Sequence, residues 1–155
     1  MEQQMWEDWK MSDYKVTKKD LHQANLRWMT MPNTSFNYEN QYGQAVAYAL
    51  APLLRKIYPD DDEYIAAMNN EWRYFNTQNY MGQLILGAAI SMEEKLKGAG
   101  AQLINDFKVG LMGPLAGVGD TLFWVLIPTI FGSIGAPMAQ DGNAFGVVLW
   151  GIFTL

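Results

Sequence analysis

Apolar residues along the first hundred positions recur at helical spacing, and the elements they predict are all helices. After Val16, the sequence Thr17-Lys-Lys-Asp20 has the form of a capping box, in which a hydroxyl and an acid three residues apart satisfy each other's backbone amides. Leu21, Ala24 and Trp28 follow at one-face spacing. Pro32-Asn-Thr-Ser35 predicts a loop. Val46, Leu50, Leu53 and Ile57 predict a helix over about 38–58, with Pro52 as a kink because its ring displaces a backbone bond. Pro59-Asp-Asp-Asp-Glu63 predicts a helix start, since carboxylates gather where unpaired amides and the macrodipole favour negative charge. The same acids do not keep the spacing or central glycine of a calcium loop. Ile65, Met68, Trp72 and Phe75 form a stripe expected to pack, stopping near 76–79. A further helix is predicted over about 81–97, apolar in its first half and charged in its second.

Beyond Lys108 the pattern changes. Residues 121–140 are twenty uncharged positions in succession, long enough to span a bilayer core, which takes about 20 apolar residues. Pro128, Gly132, Gly135 and Pro137 predict broken or re-entrant helices there, shielded by protein or a water-filled cavity. A buried hairpin of a soluble protein is the competing reading. Gly110–Asp120 holds four glycines and Pro114, predicting close backbone approach, left-handed turns and exposed amides. Asp120 ends this stretch between two apolar runs. It is expected either to face a polar pathway or partner, or to cap a helix starting at Thr121.

Composition sharpens the division. All eleven basic residues of the 155 lie at or before Lys108, whereas 109–155 carry only Asp120 and Asp141. By the bias of cytoplasmic loops towards Lys and Arg, the first part is expected on the cytoplasmic side. Three regions are therefore expected: an N-terminal tail over 1–15 with Met5, Trp6 and Trp9, loosely ordered or interfacial; a helical, cytoplasm-facing or interfacial region over 16–108; and a membrane region over 109–155. The fold class is all-α. A net charge of −5 without a basic cluster excludes a nucleic-acid footprint, and the absence of cysteine excludes disulfides and thiolate chemistry. No catalytic residue, metal site or cofactor is predicted. Gly117-Val-Gly119-Asp120 suits an intramembrane aspartyl protease only if a second acid stands close, and Asp141 sits in an exposed, turn-like context. No lysine follows the glycines to make a phosphate loop. His22, the single histidine, is expected on a helix surface.

Gly110–Trp124, reading GLMGPLAGVGDTLFW, resembles the IID subunit of the mannose-type (mannose/fructose/sorbose family) sugar phosphotransferase system. The resemblance runs from about residue 16 to the end. It includes Ser35–Glu39, Leu53–Pro59, Phe75–Gln78, Ile85–Gly87 and Met92–Glu94 in order. It implies a subunit of the bacterial cytoplasmic membrane that pairs with a IIC subunit in an oligomeric complex within membrane lipid. That pair takes up a hexose or amino sugar, while IIA and IIB carry the phosphoryl group. Family members are commonly much longer, so the chain is expected to represent an N-terminal fragment, about the first half. An arginine frequent in the family before the proline that follows the Phe-Trp pair is absent at Val125–Pro128, so no role of that arginine transfers. The matching motifs offer Asp120, Asn37, Glu39, Asn76 and Gln78 as polar substrate or gating residues, with Phe36 and Trp124 as faces for a sugar ring. Gly113, Pro114, Gly117 and Gly119 are offered as a hinge. A non-transporting membrane-associated scaffold or degenerate fragment is the alternative class.

Overall fold

The computed structural model describes residues 14–154. The expectation for 1–15 therefore falls almost wholly outside the described residues. Among those residues the chain is helical, without a strand: α1 (Lys18–Thr30), α2 (Pro32–Ser35), α3 (Gly43–Ile57), α4 (Asp61–Glu71), α5 (Asn79–Leu96), α6 (Ala101–Asp120), α7 (Ile127–Gln140) and α8 (Phe145–Thr154). A 3₁₀ turn, Lys97–Gly100, joins α5 to α6, and a π-helical stretch, Thr121–Leu126, joins α6 to α7.

Local sequence accounts for the starts. The Thr17–Asp20 capping box is formed, and Asp60 caps α4 by accepting from the amides of Asp62 and Glu63 at 3.0 and 3.1 Å. Within the acidic run Asp60 is thus spent on backbone amides, and Asp61 meets Arg55. Pro32–Ser35 forms a short helix rather than a loop, with proline at its first position, where a missing N–H costs nothing. The helix expected from 38 starts at Gly43, because residues 37–41 close a turn and Gln41 takes a positive φ of 54°. Gly43 has no alternative: a Cβ there would lie 2.4 Å from the Arg73 carbonyl oxygen.

The core of this head region lies among α1, α3 and α5. Trp28, Leu50, Leu54, Ile57, Phe75 and Ile85 are all buried, with Trp28 edge-on to Phe75 at 5.7 Å. The expected 65–75 stripe packs only in part: Phe75 is buried in the core and Met68 packs against it. Ile65 and Trp72 are exposed, α4 ends at Glu71, and the side of α4 that is buried carries Ala67, Asn70 and Glu71. Glu71 faces inward because Lys108 Nζ meets its Oε2 at 2.9 Å, both side chains being buried. Asp20 anchors α1 to α3 through Lys56 at 2.6 Å. That bond first, and those from Thr17 and Tyr14, hold its carboxyl well below the usual carboxylate range.

The run Asn79–Gln140 is helical throughout and passes the length and hydropathy criteria for a membrane span. It is not one rod. Lys97 adopts φ 50° and ψ −148°, and Gly119 returns to within contact of Gln78 and Met81, so α5 and α6 form an antiparallel hairpin. The part beyond it, Thr121–Gln140, projects from the head and folds back through Asp141–Asn143 into α8. Gly142 supplies the turn's φ of +80°.

The glycine-rich segment departs from expectation. Gly110–Asp120 has no left-handed turn and belongs to α6 throughout. In apolar surroundings an unpaired backbone group is costly, so a helix is the favoured state even for glycine. Gly113 makes this compatible with Pro114, since a residue preceding proline would otherwise crowd its Cβ against the ring. Nor does Asp120 cap a new helix. Its φ and ψ are helical, and no side-chain cap bond is made there. The expected interruption takes the form of the π stretch, ended by a helix with Pro128 in its first turn.

Candidate functional site

A cavity of about 200 Å³ opens where α6 leaves the head. Its walls come from the α4–α5 loop, from Tyr42 and Asn33, and from Ala116, Asp120 and Trp124 of the α6–π run. The loop is fixed by several bonds. Thr77 Oγ1 donates to the Met112 carbonyl at 3.0 Å, Trp28 Nε1 donates to the Asn79 carbonyl at 2.8 Å, and Asn79 Nδ2 donates to Asn33 Oδ1 at 3.0 Å. Three parts of the sequence thereby hold one polar pocket at the edge of an apolar arm.

Gln78 is the best-positioned lining residue. Its Oε1 accepts from the amides of Tyr80 and Met81 at 2.8 and 3.0 Å, capping α5. The side chain is 4% exposed, and its buried Nε2 has no protein partner. A buried amide N–H without an acceptor costs about 1–3 kcal/mol, so a turn of Gln78 that brings its amide to an acceptor oxygen is favoured. Asp120 faces the cavity as an acceptor, and its charge reaches Tyr42. Burial first, and that charge second, raise the Tyr42 hydroxyl above its ordinary pKa. Trp124 presents an exposed ring at the rim.

Of the residues expected from sequence, the fold brings together Asn76, Gln78, Asp120 and Trp124. Phe36 stands behind them, its ring 5.2 Å from that of Tyr42. Asn37 and Glu39 do not line the cavity. Asn37 Oδ1 accepts from the amides of Glu39 and Asn40, each at 3.0 Å, and its Nδ2 donates to Asn40 Oδ1 at 2.7 Å, so its capacity is spent closing the 37–41 turn. Glu39 is exposed on that turn. Tyr42, Asn33, Thr77 and Asn79 were not predicted. Asn33 was hidden in a presumed loop and Tyr42 in a presumed helix, and only the chain's return at α6 reveals them.

Of the expected hinge residues, Gly119 is closed in, since a Cβ would meet Gln78 Cβ at 2.6 Å. Gly113 and Gly117 face open space. Asp120 and Asp141 lie at opposite ends of a helical run of about 30 Å at 1.5 Å per residue, so they cannot share a proton as an aspartyl pair. Among the described residues no group of three His, Asp or Glu is placed to hold a metal ion. The arrangement offers amides, a carboxylate and hydroxyls beside aromatic faces, chemistry suited to a neutral polyhydroxyl molecule.

The family model described as the PTS system mannose/fructose/sorbose family IID component matches residues 15–155. The mannose-specific EIID component of Escherichia coli K12 is 34% identical over 144 residues, covering 87% of this chain and 50% of that protein. The sorbose-specific EIID component of Klebsiella pneumoniae is 36% identical over 143 residues, covering 90% and 52%. The fructose permease IID component of Bacillus subtilis 168 is 32% identical over 139 residues, covering 88% and 50%. A chain in the cryoEM structure of the mannose transporter ManYZ in complex with microcin E492 superposes with a TM-score of 0.80 at 33% identity, covering 90% of this chain and 52% of that one. The chain spans about half the length of the curated relatives it matches.

Proposed function

This chain belongs to the mannose/fructose/sorbose family of PTS IID components, and on that premise we propose that it contributes part of the sugar path in a membrane transport complex. In this reading it pairs with a IIC subunit in the bacterial cytoplasmic membrane and assists uptake of a hexose or amino sugar. IIA and IIB subunits perform the phosphoryl transfer, and this chain carries no phosphorylated residue. The head lies on the cytoplasmic side, where its basic residues favour it, and includes 109–120, which fold back on α5. The chain enters the membrane from Thr121.

The observation that carries the proposal is the cavity beside Asp120. An acid at the mouth of an apolar arm is costly unless it meets water, a partner or a ligand. Here it faces Gln78, whose amide lacks an acceptor, and Asn76, with Trp124 at the rim. A sugar hydroxyl both donates and accepts, so it can meet the carboxylate directly and the amide once the Gln78 side chain turns towards the cavity, while a pyranose face covers an aromatic ring. The expected consequence is that Asp120→Asn, assembled in the full complex, loses about tenfold in sugar uptake, the equivalent of one charge-assisted hydrogen bond. Uptake unchanged in that variant, with normal membrane levels, removes the carboxylate from the sugar path. A scaffold without transport has no specific support in this geometry, since it needs no polar cavity at the membrane end.

A further inference from the structure

The two loops that close the arm-facing end of the head are unusually aromatic and unusually neutral. Residues 36–42 read FNYENQY and residues 72–78 read WRYFNTQ, with Glu39 and Arg73 as the only charged side chains in either. They are held side by side: Asn40 Nδ2 donates to the Trp72 carbonyl at 3.0 Å, and the amides of Tyr42 and Phe75 complete the join. Large rings point outward from them. Tyr38 is 97% exposed, and Phe36, Trp72 and Tyr74 are each about half exposed. Scattered apolar side chains on a surface are ordinary, but a contiguous group is not.

The group continues into the arm. Tyr80 packs on Phe123 with ring centroids 4.7 Å apart, and Trp124 follows with 61% of its surface exposed. Past that level the described chain is uncharged save Asp141, with Val125, Ile130, Ile134, Val147 and Ile152 all exposed. A charged head therefore gives way to an aromatic, hydrogen-bonding band and then to bare hydrocarbon. That is the order of environments met on entering a bilayer. Tyr and Trp rings are stable at headgroup depth because one end is apolar and the other can hydrogen-bond. Arg73, exposed between Trp72 and Tyr74, adds a cation where lipid phosphates lie.

We infer that Phe36, Tyr38, Trp72 and Tyr74 rest in the headgroup layer of the bilayer, so that these loops fix how deeply the head sits. The inference rests on the membrane reading above. The partner is the lipid interface rather than protein, because the band leads into the apolar arm and carries only Glu39 and Arg73 as charged side chains.

The chain has no cysteine, so single nitroxide labels report depth directly. Tyr38→Cys and Tyr74→Cys are placed in the full subunit, assembled in vesicles of phosphatidylethanolamine and phosphatidylglycerol. Collision rates with oxygen and with a water-soluble nickel complex are then compared with two references. Leu103→Cys, exposed at the far end of the head, gives the aqueous limit. The more oxygen-accessible of Ile130→Cys and Ile152→Cys gives the arm. The expected oxygen-to-nickel ratios at 38 and 74 fall between those references. Ratios at the aqueous limit, or labels shielded from both reagents as under a protein, overturn the inference while leaving the membrane reading intact. An arm reference that itself reports water overturns the membrane reading.

Discussion

The head, up to Asp120, and the arm, from Thr121 to Thr154, have nearly the same secondary structure and opposite ways of being stable. The head buries Trp28, Phe75, Tyr58, Leu50 and Ile85 in one core, and it also buries charge, with Glu71 paired to Lys108 and Glu93 accepting from Tyr58 at 2.5 Å. The arm buries no large side chain. Its only buried residues are Gly135 and Gly146, where two backbones touch. In water such a hairpin would expose more apolar surface than it covers. In lipid its backbone bonds are satisfied within the helices, and small residues let the helices approach. The head carries its own core, whereas the arm depends on what surrounds it.

The largest expected effect breaks the head alone. Lys108→Met leaves Glu71 buried without its cation, and loss of one member of a buried pair costs about 3–5 kcal/mol. The double variant Lys108→Met/Glu71→Leu recovers most of that loss, because two apolar side chains leave no charge unpaired. Thermal unfolding of the full subunit in detergent measures both. A single variant that melts with the unmodified protein would show that the pair does not hold α4 to α6.

A smaller effect separates the arm from the head. A side chain at Gly146 places its Cβ 2.3 Å from the Gly135 carbonyl oxygen and 2.8 Å from Met138 Cβ. Gly146→Val therefore forces α7 and α8 apart at a cost of about 1–3 kcal/mol. Hydrogen exchange is expected to rise over 127–154 and to stay unchanged over the α1–α3–α5 core. Equal loss of protection in both regions would mean that they fold as one unit.

Much of this contrast was readable from the residues. The capping signals at Thr17 and Asp60 give two helix starts, because these depend on neighbours in sequence, whereas the charge boundary at Lys108 falls inside α6, ahead of the arm that begins at Thr121. The misreadings share one cause. The stripe Ile65–Met68–Trp72–Phe75 has helical spacing, but an ion pair 37 residues away turns Glu71 inward and ends the apolar face. Gly110–Asp120 has the composition of a turn, yet it runs as helix against α5, where Gly119 meets Gln78 and Met81, and that packing outweighs glycine's freedom. Four of the seven expected site residues meet in one cavity. Asn37 shared their motif character, but local bonds consume it, which residue type alone does not disclose.

The smallest change tests what the glycines on α6 are for. Gly117 is mid-helix with open space where a Cβ would go, so Gly117→Ala meets no clash and restricts the unfolded chain more than the folded one. The gain expected is about 0.5–1 kcal/mol of head stability. A hinge and a flat docking face then diverge. If the segment bends during the transport cycle, as the hinge proposal for Gly113, Pro114, Gly117 and Gly119 holds, the more stable variant takes up sugar more slowly while its apparent affinity is kept. If Gly117 only offers a smooth surface to a neighbouring helix, the added methyl weakens assembly, and the variant recovers less complex at unchanged uptake per complex. Uptake per complex and yield of complex, measured on the same membranes, decide between them, and equality with the unmodified protein in both would dismiss the hinge at this position.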